Sequence, residues 1–309
     1  MRVILLMLIA CATFRTSAQN LFEDESGETT LNFTSDYYFL RFNTSETSIK
    51  LGGIFKDKEP YGIRFANRDW GKFANVNIKF SATDGLASLY DEGELNFGYE
   101  VNFKPGFITQ RVNKKNKARL FQIFLDANLG RATYKIADSL NADGYKKARF
   151  APKKFMLNIN YIASSKWFLG LASGFAAQNN IDELNDGNVL KPYFSNSGIQ
   201  INKVTDVKIG DYEEKNAFRI DNDIAFLPGW FEDQIGFTIY QRSAFFSLGS
   251  RHDAGLGIFI LPKASDSPGY SSIGGIGFTF RDLANSQASD KNTFERGILF
   301  LFAGFKINQ

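Results

Sequence analysis

Apolar residues recur at every second position through most of this chain. Leu95, Phe97, Tyr99, Val101 and Phe103 alternate with Glu94, Asn96, Gly98, Glu100, Asn102 and Lys104. Ala74, Val76, Ile78 and Phe80 alternate with Asn75, Asn77, Lys79 and Ser81. Phe155, Leu157, Ile159 and Tyr161 alternate with Lys154, Asn158 and Asn160. Phe121, Ile123, Leu125, Ala127 and Leu129 do the same against Gln122, Asp126 and Asn128, with Phe124 on the polar side. A period of two sends each set to its own face of a sheet. Weaker segments of this kind at 31–42, 47–55, 60–67, 166–177, 197–209, 215–227, 234–249, 253–262, 271–282 and 294–307 bring the expectation to about fourteen strands. A break at Arg242-Ser243 would make it about fifteen. Asp57-Lys58-Glu59-Pro60, Asp143-Gly144, Asp186-Gly187 and Ser267-Pro268-Gly269 supply turn chemistry between them. No segment has helical amphipathicity and no linker divides the chain, so residues 19–309 read as one domain.

The length of these runs narrows the fold. Strands of soluble sandwiches average about five or six residues. Here the alternation reaches ten or more, near the nine to eleven residues a tilted strand needs to cross a bilayer. The polar faces mix Glu, Lys, Asn, Asp and Gln, as a watery lumen requires. Trp70, Trp167 and Trp230 all stand beside turns, where an interfacial aromatic girdle would place them. The predicted fold is an all-β, transmembrane antiparallel β-barrel. A soluble secreted β-rich binding protein is the alternative that denies the membrane.

The N-terminus is an address. Met1-Arg2 is a short basic region, Val3–Phe14 is apolar apart from Thr13, and Thr16-Ser17-Ala18 offers small residues for cleavage after Ala18. Residues 1–18 thus form a secretory signal peptide. Leu8-Ile9-Ala10-Cys11 has the outline of a lipobox, but its apolar run is short and a good Ala18 site follows. Cleavage after Ala18 removes Cys11, the single cysteine of the chain, so no disulfide stabilises the mature protein. It also removes Arg2 and Arg15, which lowers the formal charge from +3 to +1.

The terminal segment Leu299, Leu301, Ala303, Phe305 and Ile307 keeps the alternating apolar register back from the C-terminus. In this it resembles the last strand of Gram-negative outer-membrane β-barrel proteins, although those usually finish on an aromatic residue and this chain finishes on Gln309. The resemblance is one of architecture and spans about residues 30–309. It implies the cell outer membrane, contact with its lipid and lipopolysaccharide, folding by the barrel-assembly machinery, and room for a protein partner in an outer-membrane complex. One feature sits awkwardly with it. The longer connections read from the sequence, 83–92, 105–118 and 138–152, come consecutively, whereas such barrels alternate short turns with long outer loops.

Composition trims the functional classes. The 32 phenylalanines among 309 residues allow ample burial and exclude disorder. A formal charge of +3 gives no nucleic-acid footprint. The slightly negative mean hydropathy is compatible with a membrane barrel, because half the strand residues face the lumen. No cofactor or metal is implied. With one histidine, a zinc or copper site would need carboxylates almost alone. Asp182-Glu183-Leu184-Asn185-Asp186-Gly187-Asn188 resembles a calcium loop only superficially, since Leu184 holds a ligand position. Gly274, Gly275 and Gly277 precede no helix and read as small residues at a bend or beneath a bulky neighbour. His252 in Ser250-Arg251-His252-Asp253 is the one candidate neutral-pH base, and sequence proximity does not supply catalytic geometry. The chain is therefore expected not to be an enzyme.

Two basic clusters, Arg111–Arg119 and Tyr145–Arg149 with Lys153-Lys154, should lie at opposite barrel ends with one strand between them. The lumen-facing candidates are Arg64, Asn75, Asn77, Lys79, Glu94, Asn96, Glu100, Asn102, Asp126, Asn128, Arg219, Asp221 and Asp223. Cross-strand ladders are expected where opposite charges meet, such as Arg64 or Lys79 with Glu94 or Glu100. Such a lining suits porin-like passage of small hydrophilic solutes. It equally suits a non-enzymatic accessory or scaffold barrel whose interior is filled by its own salt bridges.

Overall fold

The computed structural model describes residues 18–20, 22, 24, 28–34, 38–43, 48–56, 63–65, 68–82, 90–91, 94–95, 97–112, 118–138, 144–163, 166–181, 184–194, 200–229, 234–247, 249–261, 274–286 and 292–307. Residues 1–17 of the expected signal peptide and Trp230 lie outside them. No helix is long and apolar enough to cross a membrane among the described residues.

Twelve antiparallel strands form the wall: β1 (Tyr38–Asn43), β2 (Ser48–Lys56), β3 (Arg68–Ala82), β4 (Phe97–Val112), β5 (Ala118–Ala137), β6 (Lys153–Ala163), β7 (Trp167–Asn179), β8 (Glu214–Phe226), β9 (Ile235–Phe246), β10 (Gly249–Ile260), β11 (Gly274–Phe280) and β12 (Gly297–Ile307). Each strand pairs with the next in sequence. β5 crosses directly to β6, with Leu120 opposite Ile162 and Leu129 opposite Lys153. β12 returns to β1, with Ile307 opposite Tyr38. The sheet therefore closes on itself and leaves no edge strand in the wall.

Both ends of the ring, Tyr38 and Ile307, lie at one rim, here called the terminal end. The strand ends Lys56, Arg68, Val112, Ala118, Ala163, Trp167, Phe226, Ile235, Ile260 and Gly274 lie there too. The opposite rim, the loop end, carries the strand ends Asn43, Ser48, Ala82, Phe97, Ala137, Lys153, Asn179, Glu214, Phe246, Gly249, Phe280 and Gly297. This removes the awkward run of long connections. The segment 105–118 is mostly wall, because β4 continues to Val112 and β5 begins at Ala118. Polar and proline positions in 105–118 interrupt the sequence pattern without interrupting the pairing to β3, since Pro105 still stands opposite Ala74.

The ring holds twelve of the about fourteen strands expected; among the described residues 60–67 is a strand at Ile63–Phe65, paired to β3, 197–209 lies outside the ring, and Asn185–Phe194 is a strand the alternation did not mark. Asn185–Phe194 and Gln200–Ile209 pair as a hairpin in the connection between β7 and β8. Gln200–Ile209 joins the loop-end tip of β5 in parallel, with Ala137 opposite Ile209, and Lys146–Phe150 flanks that tip on its other side. Asp186-Gly187, expected as a turn, is inside the first strand of this hairpin, where Asp186 opposes Lys208 and binds it at 2.7 Å. Likewise 234–249 does not break at Arg242-Ser243; β9 runs through both.

Burial is inside out. Phe175, Ile239 and Leu299 are 65%, 66% and 66% exposed, while Asn75, Gln122 and Asn160 are 0% exposed. Along β6, Phe155 and Leu157 are exposed while Met156, Asn158, Asn160 and Ile162 are buried. Exposed apolar residues recur on the outer faces of β4 through β12, among them Val101, Leu125, Leu171, Phe218, Leu256 and Leu301. Such a continuous apolar exterior would be unstable in water and is the surface that lipid covers.

Candidate functional site: the barrel lumen

The inner faces of β3 to β6 form a polar wall whose cross-strand registers bring amides and charges together. Asn77 stands opposite Asn102, and Asn102 opposite Asn128. Asn77 Nδ2 donates to Asn102 Oδ1 at 3.4 Å, Asn102 donates in turn to Asp126, and Asn128 Nδ2 donates to Glu100 Oε2 at 2.6 Å. Lys79 opposes Glu100, with 4.0 Å between charges. Asp126 lies 3.9 Å from Lys104 and 3.3 Å from Lys154. Asn160 Nδ2 donates to Gln122 Oε1 at 3.4 Å.

Of the residues named from the sequence, Asn75, Asn77, Asp126, Asn128, Arg219, Asp221 and Asp223 are buried inside the ring. Lys79, Glu100 and Asn102 are partly exposed on the same inner face. The side chains of Arg64 and Glu94, and all of Asn96, lie outside the described residues. Lys104, Gln122, Lys154, Asn158, Asn160 and Arg242 line the lumen as well. Lys104 and Gln122 share parity with named inward residues on their own strands, and Lys154, Asn158 and Asn160 are the polar set of the β6 alternation, whereas Arg242 stood in the sequence as a possible strand break.

The lumen is occupied by the chain itself. Ala18–Asn20 pairs with Asn32–Thr34, and of the residues between them Phe22, Asp24, Thr29, Thr30 and Leu31 are buried in the interior. Glu28 N donates to Asp24 Oδ1 at 2.8 Å, while Asp24 N donates to Glu28 O at 3.0 Å. Both carboxylates then reach the wall. Arg219 Nη2 donates to Glu28 Oε2 at 2.7 Å and to Asp221 Oδ2 at 2.9 Å, and Lys154 Nζ reaches Glu28 Oε1 at 3.0 Å. Arg242 spans two acids, Asp24 at 2.8 Å and Asp223 at 2.9 Å. Asp223 also accepts from the backbone and hydroxyl of Thr30. Burial by itself would raise the pKa of Glu28. The Arg219 and Lys154 charges outweigh it and hold that carboxyl well below its usual value.

Below this ionic layer, toward the terminal end, the interior turns apolar. Phe22 and Leu31 pack among Ile162, Phe168, Leu227, Tyr240, Phe259, Leu261, Phe300 and Phe302. Phe73, Ile108 and Phe124 continue this floor across the other wall, joined through Leu120. Phe22 lies 5.2 Å from the Phe302 ring, edge on, and 5.8 Å from Tyr240 and Phe300. A Cβ at Gly257 or Gly277 would collide with the Phe22 ring, and at Gly275 with Phe302. These strand glycines are the recesses into which the aromatic rings fit.

Trp167 opens β7 at the terminal end, exposed, with its ring 4.3 Å from that of Phe226. Trp70 stands near the start of β3 at the same end, edge on to Phe121 at 6.0 Å. His252 is on the outer wall. Its Nδ1 lies 3.0 Å from Ser243 Oγ and its Nε2 3.0 Å from Ser250 Oγ. Asp253 faces the other way, binding Arg251 at 2.9 Å and accepting from Asp282 N at 2.7 Å. The local Ser-His-Asp sequence is thus split between two faces of one strand. Among the described residues, no three metal-ligating side chains gather into a site.

Exposed aliphatics outside a closed antiparallel ring, with ion pairs inside it, decide the architecture. This chain has the architecture of a transmembrane β-barrel. No family model matches it and no curated protein matches it. Among solved structures, it is similar to the NanC porin, at 7% identity and a TM-score of 0.33, with 88% of this chain and 98% of the porin covered. It is also similar to the β domain of the Bordetella autotransporter BrkA, at 10% identity and a TM-score of 0.36, with 87% and 95% covered.

Proposed function

We propose that this barrel resides in the outer membrane and passes small hydrophilic solutes, with residues 22–31 acting as an internal gate. The observation that carries the reading is the polar wall. Among the described residues, Asn77 Oδ1, Gln122 Nε2 and Asn128 Oδ1 find no protein partner although they are shielded within the barrel. A lumen filled for good by its own side chains would satisfy such groups, since each costs about 1–3 kcal/mol when left unmet. Water admitted to the lumen when the segment withdraws would satisfy them. The gate follows from the ion pairs, because Asp24 and Glu28 hold the segment to the wall by contacts that can be broken one at a time.

Orientation follows from the two rims. The strand ends flanking 83–96, 138–152, 180–213 and 281–296 share the loop end, which faces outward if short turns are periplasmic. The apolar floor around Phe22 and Leu31 then closes the periplasmic side. That floor favours a second reading, a permanently sealed accessory barrel in a larger outer-membrane complex.

Planar-bilayer recording separates the two. The intact chain should be closed most of the time, and the double substitution Asp24→Ala with Glu28→Ala should conduct steadily. If a variant lacking residues 22–31 inserts, migrates as a folded barrel and still passes no current, solute passage is wrong and the sealed barrel stands.

A further inference from the structure

Glu28 is held by the wall as a bound carboxylate ligand would be. Its two oxygens go to two different cations, Oε2 to Arg219 Nη2 at 2.7 Å and Oε1 to Lys154 Nζ at 3.0 Å. Asp24 takes a second seat, where Arg242 Nε donates to its Oδ2 at 2.8 Å. The three cations come from β6, β8 and β9, so the two seats lie on a curved stretch of wall. A third role falls to hydroxyls. Thr29 and Thr30 both donate theirs to Asp223 Oδ2.

Around these seats the wall is cationic in balance. Among the described residues of this layer it contributes Lys104, Lys154, Arg219 and Arg242 against Asp126, Asp221 and Asp223. Asp24 and Glu28 supply the remaining negative charge, and withdrawal of the segment takes it away. Buried cations need compensation, so an anion entering the lumen is drawn to the donors that the segment vacates on Arg219, Lys154 and Arg242. A cation gains no equivalent seat. Each wall acid keeps a wall partner, Asp126 with Lys154 at 3.3 Å, Asp221 with Arg219 at 2.9 Å and Asp223 with Arg242 at 2.9 Å. Hydroxyl groups have a place as well. Asp223 would lose the threonines, and among the described residues Asp221 Oδ1 finds no hydrogen-bond partner although Asp221 is buried.

We propose that the internal segment occupies the solute's own binding site, and that this solute is a small dicarboxylate bearing hydroxyl groups. One carboxylate takes the Glu28 seat between Arg219 and Lys154, and the other takes the Asp24 seat on Arg242. Guanidinium groups suit planar carboxylates, and the lysine supplies a point charge. Hydroxyls of the solute donate to Asp221 and Asp223 in place of the threonines. Solute and segment compete for the same donors, so the solute opens its own path. The inference rests on the solute passage proposed above and adds the class of solute and the trigger for opening.

The test compares glucarate, a hydroxylated dicarboxylate, with glucitol, its uncharged counterpart, on the full chain in planar bilayers. Glucarate should raise the open fraction about fivefold or more, and glucitol should leave it unchanged at an ionic strength matched with KCl. In the open variant Asp24→Ala with Glu28→Ala, reversal potentials across a KCl gradient should favour chloride. Adding Arg219→Gln with Arg242→Gln should remove that preference, and adding Lys154→Gln alone, a milder change to the wall, should reduce it. Equal opening by glucitol, or by KCl at the same ionic strength, would overturn the competition. An open variant without preference for chloride would overturn the anionic class. Both results leave solute passage standing, whereas a chain that conducts nothing after removal of residues 22–31 would overturn passage and this inference with it.

Discussion

Glu28 and Arg219 stand 191 residues apart in the chain, yet Arg219 Nη2 donates to Glu28 Oε2 at 2.7 Å in the middle of the lumen. Arg219 belongs to the wall and Glu28 to the segment that fills it. Their pairing is what couples the N-terminal segment to the barrel.

Removing one partner should therefore loosen the segment. Breaking a buried, hydrogen-bonded ion pair costs about 3–5 kcal/mol, because the remaining charge is left uncompensated. In Glu28→Ala, Arg219 keeps Asp221 at 2.9 Å, so the effect should fall at the lower end of that range. Arg219→Ala leaves Glu28 with Lys154 at 3.0 Å but takes the guanidinium from both Glu28 and Asp221, and should cost more. Protease cleavage within residues 19–31 of the detergent-folded protein would report it, with faster cleavage in Arg219→Ala than in Glu28→Ala.

The same pair sets a pH dependence. The folded-state pKa of Glu28 is depressed below its ordinary value of 4.5. Its contribution is thus present in full above about 4.5 and is lost only as pH falls through the lower folded value. Gate closure in bilayer recordings should be unchanged from pH 7 to pH 5 and should weaken only in stronger acid. Glu28→Gln should abolish that acid step. A step near pH 6 would contradict the assignment to Glu28.

Steric fit gives an independent handle. Adding a methyl group at Gly257 drives a Cβ into the Phe22 ring. Overpacking of this kind costs about 1–3 kcal/mol. Gly257→Ala should raise gate opening, and Phe22→Ala in the same chain should relieve the clash at the expense of aromatic packing. Recordings in which Gly257→Ala behaves as the unaltered chain would place Phe22 elsewhere.

The outer belt makes a stability prediction. Leu157 is 53% exposed in the middle of β6. Leu157→Arg should destabilise the inserted barrel by about 2–4 kcal/mol if it meets the bilayer core. Leu157→Phe should be near neutral. Urea unfolding from lipid vesicles measures both; equal stability of the arginine variant would deny lipid contact at this face.

Orientation can be read from labelling. Cys11 is the single cysteine of the chain and falls within the expected signal peptide. A cysteine introduced at Glu213, exposed at the loop end, should react with a membrane-impermeant maleimide on intact cells. One at Lys166, exposed at the terminal end, should react only after the envelope is opened. The reverse pattern would invert the barrel.

What could be read from the sequence was set by period. Alternation is a local property, so the all-β class and the inward parity of Asn75, Asn77, Asp126, Asn128, Arg219, Asp221 and Asp223 were legible there, while the choice of Lys79 with Glu100 among the possible ladder pairs was made by the register. Strand ends were less so. Pro105 and Gly106 look like turn residues, yet Gly106 pairs with both Phe73 and Phe124, because a wall with partners on both sides carries a strand through weak positions. The segment 197–209 alternates like a wall strand and belongs to the outer hairpin, since period alone says nothing about which partner a strand finds.

The filled lumen was decided only by tertiary structure. Asp24 and Glu28 lie in a short acidic stretch with no period, indistinguishable in sequence from a solvated leader. Their meaning comes from Arg219, Arg242 and Lys154, which reach them only after closure of β5 onto β6 and of β12 onto β1 has curled distant strands around a common axis. Sequence determined which side chains point inward. Closure of the ring determined what they meet there, because charges buried together within one lumen must pair across whatever chain separation the fold imposes.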